Sequence, residues 1–176
     1  MRITISGSIG SGKTTVGKLL SSYLGIKFLS GGQIFRESAR KMGLSLEDFG
    51  RLAESDPTLD KRQDKLQLDL LRKNEDVVFE SRLAGWLAGT NGLKAIKIFI
   101  DAPLEVRAER VCRRESIRDD SGIEKMKARD ESDRFRYSKY YGVDYSTWPG
   151  YDLRVDTSIL TAEEVAKKIL EFIHAE

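Results

Sequence analysis

The sequence predicts an α/β fold in which helices cover both faces of a parallel β-sheet. Two observations lead to this prediction. Short apolar runs, typical of buried strands, alternate along the 176 residues with longer segments that repeat at helical spacing. A glycine-rich motif, Gly7–Thr14, also stands between the first predicted strand and the first predicted helix. Ligands of such sheets bind at the carboxyl ends of the strands, so we expect the functional residues there.

The predicted strands are short. The first alternates apolar and polar residues, and the third and fourth are brief, mainly apolar runs of the kind found in strands buried on both faces. The five segments are Arg2–Ser6, Ile26–Leu29, Val77–Phe79, Ile96–Ile100 and Tyr151–Val155.

Capping signals mark the start of several helices. A capping box pairs a serine or threonine with an acidic residue three positions later, and an aspartate before a proline is a second signal. These signals are Ser45 with Asp48, Thr161 with Glu164, and Asp56 before Pro57. The long helix after Pro57 is predicted to have an apolar side formed by Leu59, Leu66, Leu70 and Leu71. Asp101, at the end of the fourth strand, is likewise expected to cap a helix.

Helical spacing predicts two helices on either side of a charged stretch. The first runs from Leu104 to about Glu115 and the second from about Ile123 to Tyr141. Between them, Arg118–Gly122 is the most loop-like charged stretch of the chain. This region is therefore the candidate for a segment that moves.

The motif Gly7–Thr14 fits the phosphate-binding pattern G-x-x-x-x-G-K-[ST]. Its glycines let the backbone wrap around phosphate oxygens, and amides at the helix start point at the anion. We expect Lys13 to reach the β- and γ-phosphates and the Thr14 hydroxyl to ligate Mg²⁺. An ordinary glycine–serine turn is the alternative. The residues expected to hold ATP are Gly7, Ser8, Ile9, Gly10, Ser11, Gly12, Lys13, Thr14 and Thr15.

Arginines follow the predicted strand ends. Arg36 comes after the second strand and Arg82 directly after the third. Guanidinium groups bind phosphate oxygens bidentately, and phosphoryl transfer depends on cations around the transferring group. A cluster after the fourth strand has the same potential, or is alternatively a charged surface; its members are Arg107, Arg110, Arg113 and Arg114.

Two further sets of residues each have a functional and a structural interpretation. Arg129, Asp133 and Arg136 share one helical face, although Arg129 and Asp133 alone would also suit a solvated ion pair. Glu80 ends the third strand, where P-loop enzymes place a carboxylate that holds Mg²⁺. Its alternative role is a structural ion pair with Arg82.

Composition limits the possible functions. Lys+Arg 30 against Asp+Glu 28 gives a net charge of +2, too small for a general nucleic-acid binder. The single cysteine excludes an internal disulfide and fits a reducing compartment. No apolar run has the length of a membrane span, and no signal peptide precedes the first strand. We expect one domain, residues 1–176, in a cytoplasmic monomer without membrane or nucleic-acid partners.

The succession of motifs resembles that of the cytidylate kinases, most closely the short archaeal type. GSIGSGKTT is shared by many P-loop proteins, but Ile34–Arg36, Glu80–Arg82 and the helix carrying Arg129, Asp133 and Arg136 are more specific. The resemblance runs nearly end to end. It implies a P-loop NTPase fold of three α/β/α layers, with a five-stranded parallel sheet of order 2-3-1-4-5.

The same resemblance implies regions and roles. A nucleoside-monophosphate (NMP)-binding region would occupy about residues 31–75 and a lid about 113–130. The activity would be Mg²⁺-dependent transfer of the ATP γ-phosphoryl group to CMP or dCMP. The residues implied for catalysis are Lys13, Arg110, Arg129 and Arg136; those for the acceptor are Ser30, Arg36, Arg82, Arg129, Asp133 and Arg136; those for the metal are Thr14 and Glu80.

Two departures from the family pattern affect the choice of base. A glycine is usual where Ser81 stands, and a serine is usual where Gly31 stands. The second departure removes a hydroxyl that helps to read the base, and the neighbouring Ser30 is a possible substitute. Alternative functions are an adenylate- or shikimate-kinase-like enzyme and a nucleotide-operated switch or assembly factor. The guanine-reading N-K-x-D of GTPase switches is absent from the sequence.

Overall fold

The computed structural model describes residues 1–116 and 121–175. Within them, five strands form one sheet in which every neighbouring pair is parallel. The strands are β1 (Arg2–Ser6), β2 (Lys27–Ser30), β3 (Val77–Glu80), β4 (Ile96–Asp101) and β5 (Leu153–Asp156). Their order, β2-β3-β1-β4-β5, confirms the predicted fold class.

Helices alternate with the strands and cover both faces of the sheet. In the described residues they are α1 (Lys13–Leu24), α2 (Gly31–Lys41), α3 (Leu46–Ser55), α4 (Pro57–Lys73), α5 (Ala84–Thr90), α6 (Leu104–Glu115), α7 (Ser121–Tyr141) and α8 (Ala162–Ala175). None of these helices has the length and apolar character needed to cross a membrane.

The core divides into clusters on the two sides of the sheet. Ile3 and Ile5 of β1 pack with α1 and α8 on one face, together with Leu20 and Ile169. On the other face, Phe79 of β3 packs with α4 and α5. The alternation of side chains along β1 and β3 therefore produces the predicted three layers.

The predicted helix caps are largely present. The Ser45 hydroxyl accepts from the amide of Asp48 at 3.0 Å, and the Asp56 carboxylate accepts from the amide of Thr58 at 2.9 Å. Thr161 and Glu164 cap α8 reciprocally. The expectation for Asp101 is wrong: Pro103 holds the N-cap position of α6, and no side chain caps it. The Asp101 carboxylate instead accepts from the Ser8 hydroxyl at 3.0 Å.

Three other features differ from the sequence expectation. Helix α5 was not predicted, because it is short and its glycines weaken the helical pattern. Helix α7 begins at Ser121, so that Gly122 of the predicted loop is helical, whereas residues 118–120 lie outside the described residues. In α4, polar side chains rather than leucines form much of the buried face; they are Asp60, Gln63 and Gln67.

Candidate active site

The phosphate-binding motif joins β1 to α1 at the carboxyl edge of the sheet. Lys13 is only 6% exposed, and its Nζ donates to the Ser8 carbonyl at 2.6 Å. Burial, together with the smaller effect of the positive charge of Arg82, lowers the pKa of Lys13 to about 8 against the opposing effect of Glu80. The ammonium is therefore enclosed by the loop and in electrostatic contact with the groups around it.

Two glycines of the motif are required for packing as well as for phosphate binding. A Cβ on Gly7 would lie 2.0 Å from the Ile100 carbonyl oxygen, and one on Gly10 would lie 2.5 Å from the Arg107 carbonyl oxygen. No side chain fits at such distances. The loop is thus held directly against the backbone of β4 and α6, a constraint that the sequence did not indicate.

Glu80 and Thr14 lie together, as expected for residues that hold a metal ion. Glu80 is 3% exposed, and its Oε1 accepts from the Thr14 hydroxyl at 3.3 Å and from the Ser30 hydroxyl. The alternative role of Glu80 is wrong, because Arg82 pairs with Asp133 instead. Ser30 also accepts from the Gln33 amide and so caps α2; it lines neither cavity described below.

Two adjoining cavities open at this edge of the sheet. The first, here called the loop cavity, has a volume of about 750 Å³ and is lined by Gly12–Thr15 of the phosphate motif. The second, the side cavity, has a volume of about 450 Å³ and lies between α2, α3, α4 and α7. Residues that line both cavities are Gly32, Arg36, Leu46, Arg82 and Arg129. Three arginines from separate elements therefore stand where the cavities meet.

A network of charges joins the wall of the side cavity to the sheet. Arg82 donates from Nε to Asp133 at 2.8 Å, and Asp133 also accepts from Arg136. Arg136 is 1% exposed and donates its other terminal nitrogen to Asp60. Burial alone would lower the pKa of Arg82, but the Asp133 carboxylate raises it above its ordinary value. Both guanidiniums are thus fixed in position and charged.

The arginines of α6 have separate environments, although they were predicted as one cluster. Arg107 is buried, and it donates to Asp130 at 2.7 Å and to the Ile9 carbonyl at 2.9 Å. Arg110 lines the loop cavity and donates to Thr157. Arg113 and Arg114 are exposed and pair with neighbouring glutamates. The alternative of a charged surface is therefore wrong for Arg107 and agrees with the exposure of Arg113, whereas Arg114 is exposed but also lines the loop cavity.

Helix α7 carries the predicted triad of charged residues, but not the alternative ion pair. Arg129 donates to Glu115 at 3.3 Å and not to Asp133, whose partners are Arg82 and Arg136. Farther toward its start, Met126 is fully buried against Ile9 and Val111. The described residues of the predicted lid thus contact the phosphate loop directly.

Sequence reasoning did not select the polar face of α4. Asp60, Asp64 and Gln67 are spaced by four and three residues, so they share one side of the helix. Asp64 and Gln67 line the side cavity, and Asp60 binds Arg136. This spacing could have revealed the polar face, but hydropathy assigned the buried face to the leucines of the same helix. One of these, Leu66, is 46% exposed.

A phosphate loop at the carboxyl edge of a parallel sheet, with a second cavity beside it and arginines between, defines a P-loop kinase. Known proteins give the same result. The sequence profile of the cytidylate kinase-like family matches residues 2–159. The chain belongs to this family, and it is an enzyme of the nucleoside-monophosphate kinase class.

Individual relatives agree with this assignment, and a solved structure agrees with the fold. The cytidylate kinase of Thermoplasma acidophilum is 42% identical over 94% of this chain and 88% of its own length. That of Sulfolobus acidocaldarius is 40% identical over 98% of this chain and 94% of its own. The shikimate kinase of Acinetobacter baumannii, solved in complex with shikimate, has a TM-score of 0.64 and is 19% identical in sequence. The match covers 99% of this chain and 93% of that chain, and at this identity it supports the fold alone.

Proposed function

We propose that the enzyme transfers the γ-phosphoryl group of ATP to CMP or dCMP, giving ADP and CDP or dCDP. The observation that carries this proposal is the meeting of two cavities at Arg36, Arg82 and Arg129. ATP would occupy the loop cavity and the monophosphate the side cavity, so that the transferring group passes between the arginines. The curated relatives named cytidylate kinase support a cytidine nucleotide as the acceptor.

The residues around the junction supply positive charge rather than a base. A phosphate monoester has a second pKa of about 6, so the acceptor is already largely anionic at neutral pH. Asp133, a carboxylate of the side-cavity wall, is engaged by two guanidiniums and is a positioning residue in this proposal. Lys13 and the arginines would stabilise the charge that spreads over the oxygens of the transferring group. Arg110, beside the loop cavity, would contribute to the same effect.

Thr14 and Glu80 fit the requirements of a magnesium ion. Mg²⁺ takes oxygen ligands, keeps several waters and is bound in kinases through one or two protein groups plus the phosphates. The Thr14 hydroxyl and the Glu80 carboxylate are 3.3 Å apart, which places two oxygen donors together beside Lys13. Bound there, Mg²⁺ would neutralise phosphate charge and orient the γ-phosphoryl group.

The test is a coupled ADP-release assay with ATP and Mg²⁺ across CMP, dCMP, UMP, AMP, GMP and shikimate. We expect turnover with CMP or dCMP to exceed turnover with the other acceptors. A preference for AMP or for shikimate would instead identify an adenylate- or shikimate-kinase-like enzyme. ADP release that does not depend on any acceptor would favour a nucleotide-operated switch and overturn the proposal.

A further inference from the structure

The polar face of α4 lines the side cavity, and one of its buried polar atoms there has no hydrogen-bond partner among the described residues. Gln67 is 8% exposed, and its Oε1 has no partner among the described residues. Ser81, which also lines the side cavity, is 5% exposed, and its Oγ likewise has no hydrogen-bond partner among the described residues. Buried polar atoms nearly always have a partner, and both residues line the side cavity but not the loop cavity. These unpaired groups indicate a ligand with polar edges.

Gly31 explains why these two side chains lie together. A Cβ at residue 31 would lie 2.6 Å from Gln67 Oε1 and 2.6 Å from the Ser81 Cβ. A side chain at residue 31 and the Ser81 side chain therefore exclude each other. Glycine at residue 31 therefore leaves the space that the Ser81 side chain occupies beside Gln67.

Asp64 adds a group that only accepts hydrogen bonds when ionised. It lies one helical turn before Gln67 and lines the side cavity. The Tyr141 hydroxyl donates to Asp64 Oδ2, and no described residue donates to the other carboxylate oxygen. The amide of Gln67 can donate or accept by rotating, whereas an ionised carboxylate cannot donate.

Pyrimidine bases differ in the edge that such groups would meet. Cytosine presents an amino donor where uracil presents a carbonyl oxygen. An ionised carboxylate oxygen therefore binds the amino group of cytosine and repels the carbonyl of uracil, while an amide accommodates both bases by rotating. Because burial raises the pKa of Asp64 to about 7, this discrimination is strongest at pH values above 7.

We propose that Asp64, Gln67 and Ser81 contact the base of the acceptor nucleotide, and that Asp64 selects an amino-bearing pyrimidine over uracil. This inference rests on the proposed function, because it places the monophosphate in the side cavity. Its phosphate lies at the junction arginines, and its base lies against α4. Gln67 and Ser81 hold either pyrimidine, and Asp64 supplies the discrimination.

The test compares kcat/KM for CMP and UMP in Asp64→Asn and Gln67→Leu. Asp64→Asn should lower the CMP/UMP ratio of kcat/KM by about tenfold or more, because an amide tolerates both edges. Gln67→Leu should lower kcat/KM for both nucleotides and leave their ratio unchanged. Tyr141→Phe, which removes only the hydroxyl that orients Asp64, should lower the ratio by less than Asp64→Asn.

The matched control is Asp69→Asn, the same substitution at an α4 residue that lines neither cavity. It should retain the wild-type ratio. Turnover of CMP with an unchanged ratio in both Asp64→Asn and Tyr141→Phe would overturn the inference but leave the proposed function intact. A wild-type enzyme that phosphorylates no monophosphate would overturn both.

The steric exclusion between side chains at residues 31 and 81 has its own test, in thermal stability. Gly31→Ser alone should lower Tm, since its Cβ meets the Ser81 side chain, and Gly31→Ser with Ser81→Gly should recover most of the loss. A double variant no more stable than Gly31→Ser alone would show that residues 31 and 81 do not exclude each other, and would remove this support.

Discussion

Arg82 Nε donates to Asp133 Oδ2 at 2.8 Å and so ties the end of β3 to the middle of α7. Arg36, the other strand-end arginine at the junction of the cavities, makes no ion pair with a described residue. Two arginines with the same predicted role therefore differ in what else they do. One is part of the scaffold as well as the site, and the other projects into the site alone.

Arg36→Ala and Arg82→Ala should both weaken acceptor use far more than ATP binding, but only one should affect stability. Loss of a charge-assisted contact to phosphate costs about 2–5 kcal/mol, seen as a lower kcat/KM for CMP. Arg36→Ala should keep the wild-type Tm, while Arg82→Ala should lower it by removing a partner of Asp133. Arg40→Ala, an exposed arginine one turn farther along α2, is the control. An increase in the KM for ATP alone would reverse the assignment of the cavities.

Lys13→Ala should abolish most phosphoryl transfer and leave a folded protein. The variant loses a preorganised cation of the transition state, and losses of about 10²–10³-fold in kcat are typical of such groups. Circular dichroism and thermal unfolding check the fold, and Lys18→Ala, an exposed lysine of the same helix, is the control. Near-normal turnover in Lys13→Ala would remove the phosphate loop from the mechanism.

Asp64 should make stability depend on pH. Burial raises its pKa from 3.8 to about 7, with Asp60 adding to the effect and Tyr141 and Arg136 opposing it. Since the folded state binds this proton more tightly, folding takes up a proton between these values, and stability falls as pH rises through the interval. Asp64→Asn should therefore gain Tm relative to wild type as pH increases from about 5 to about 8. A constant difference in Tm, as expected for Asp69→Asn, would contradict the raised pKa.

Local patterns predicted the fold and the phosphate loop well. The strands of a parallel sheet are apolar runs, their carboxyl ends meet at one edge, and that rule alone selected Arg36 and Arg82. The sheet order came from the family resemblance, because periodicity does not specify which strands are neighbours. The caps at Ser45, Asp56 and Thr161 were predictable because capping depends on residues only two or three positions apart.

Burial of charged residues was not predictable from such patterns. Arg107 and Arg114 lie seven residues apart and so share one face of α6. Arg107 is nevertheless buried and paired with Asp130 of α7, whereas Arg114 is exposed. The difference is set by a carboxylate 23 residues away in the chain. The same limit applies to α4, where Arg136 of α7 makes a buried position suitable for Asp60. Pairing between distant residues, rather than hydropathy, decided both cases.

Within the predicted lid, residues 113–130, some described residues are buried against the rest of the protein and others are exposed. Met126 and Asp130 are buried against the phosphate loop and α6. Arg113 and Arg114 are exposed, and Arg129 reaches Glu115 from the junction of the cavities. Arginines repel one another because they carry the same charge. Bound phosphates would neutralise this repulsion between Arg129 and the neighbouring arginines more completely than Glu115 alone does.

Hydrogen exchange should therefore slow on substrate binding in residues 113–116 and 123–129. A kinase must keep water from the γ-phosphate, and a segment that closes over both substrates does so. We expect strong slowing with CMP and a non-hydrolysable ATP analogue together, and much less with CMP alone, because one phosphate recruits fewer arginines. Peptides from α5, which lines neither cavity, are the internal control. Exchange that is already slow without ligand, or that ignores it, would refute the lid, and Arg113 and Arg114 would then be only a solvated helix face.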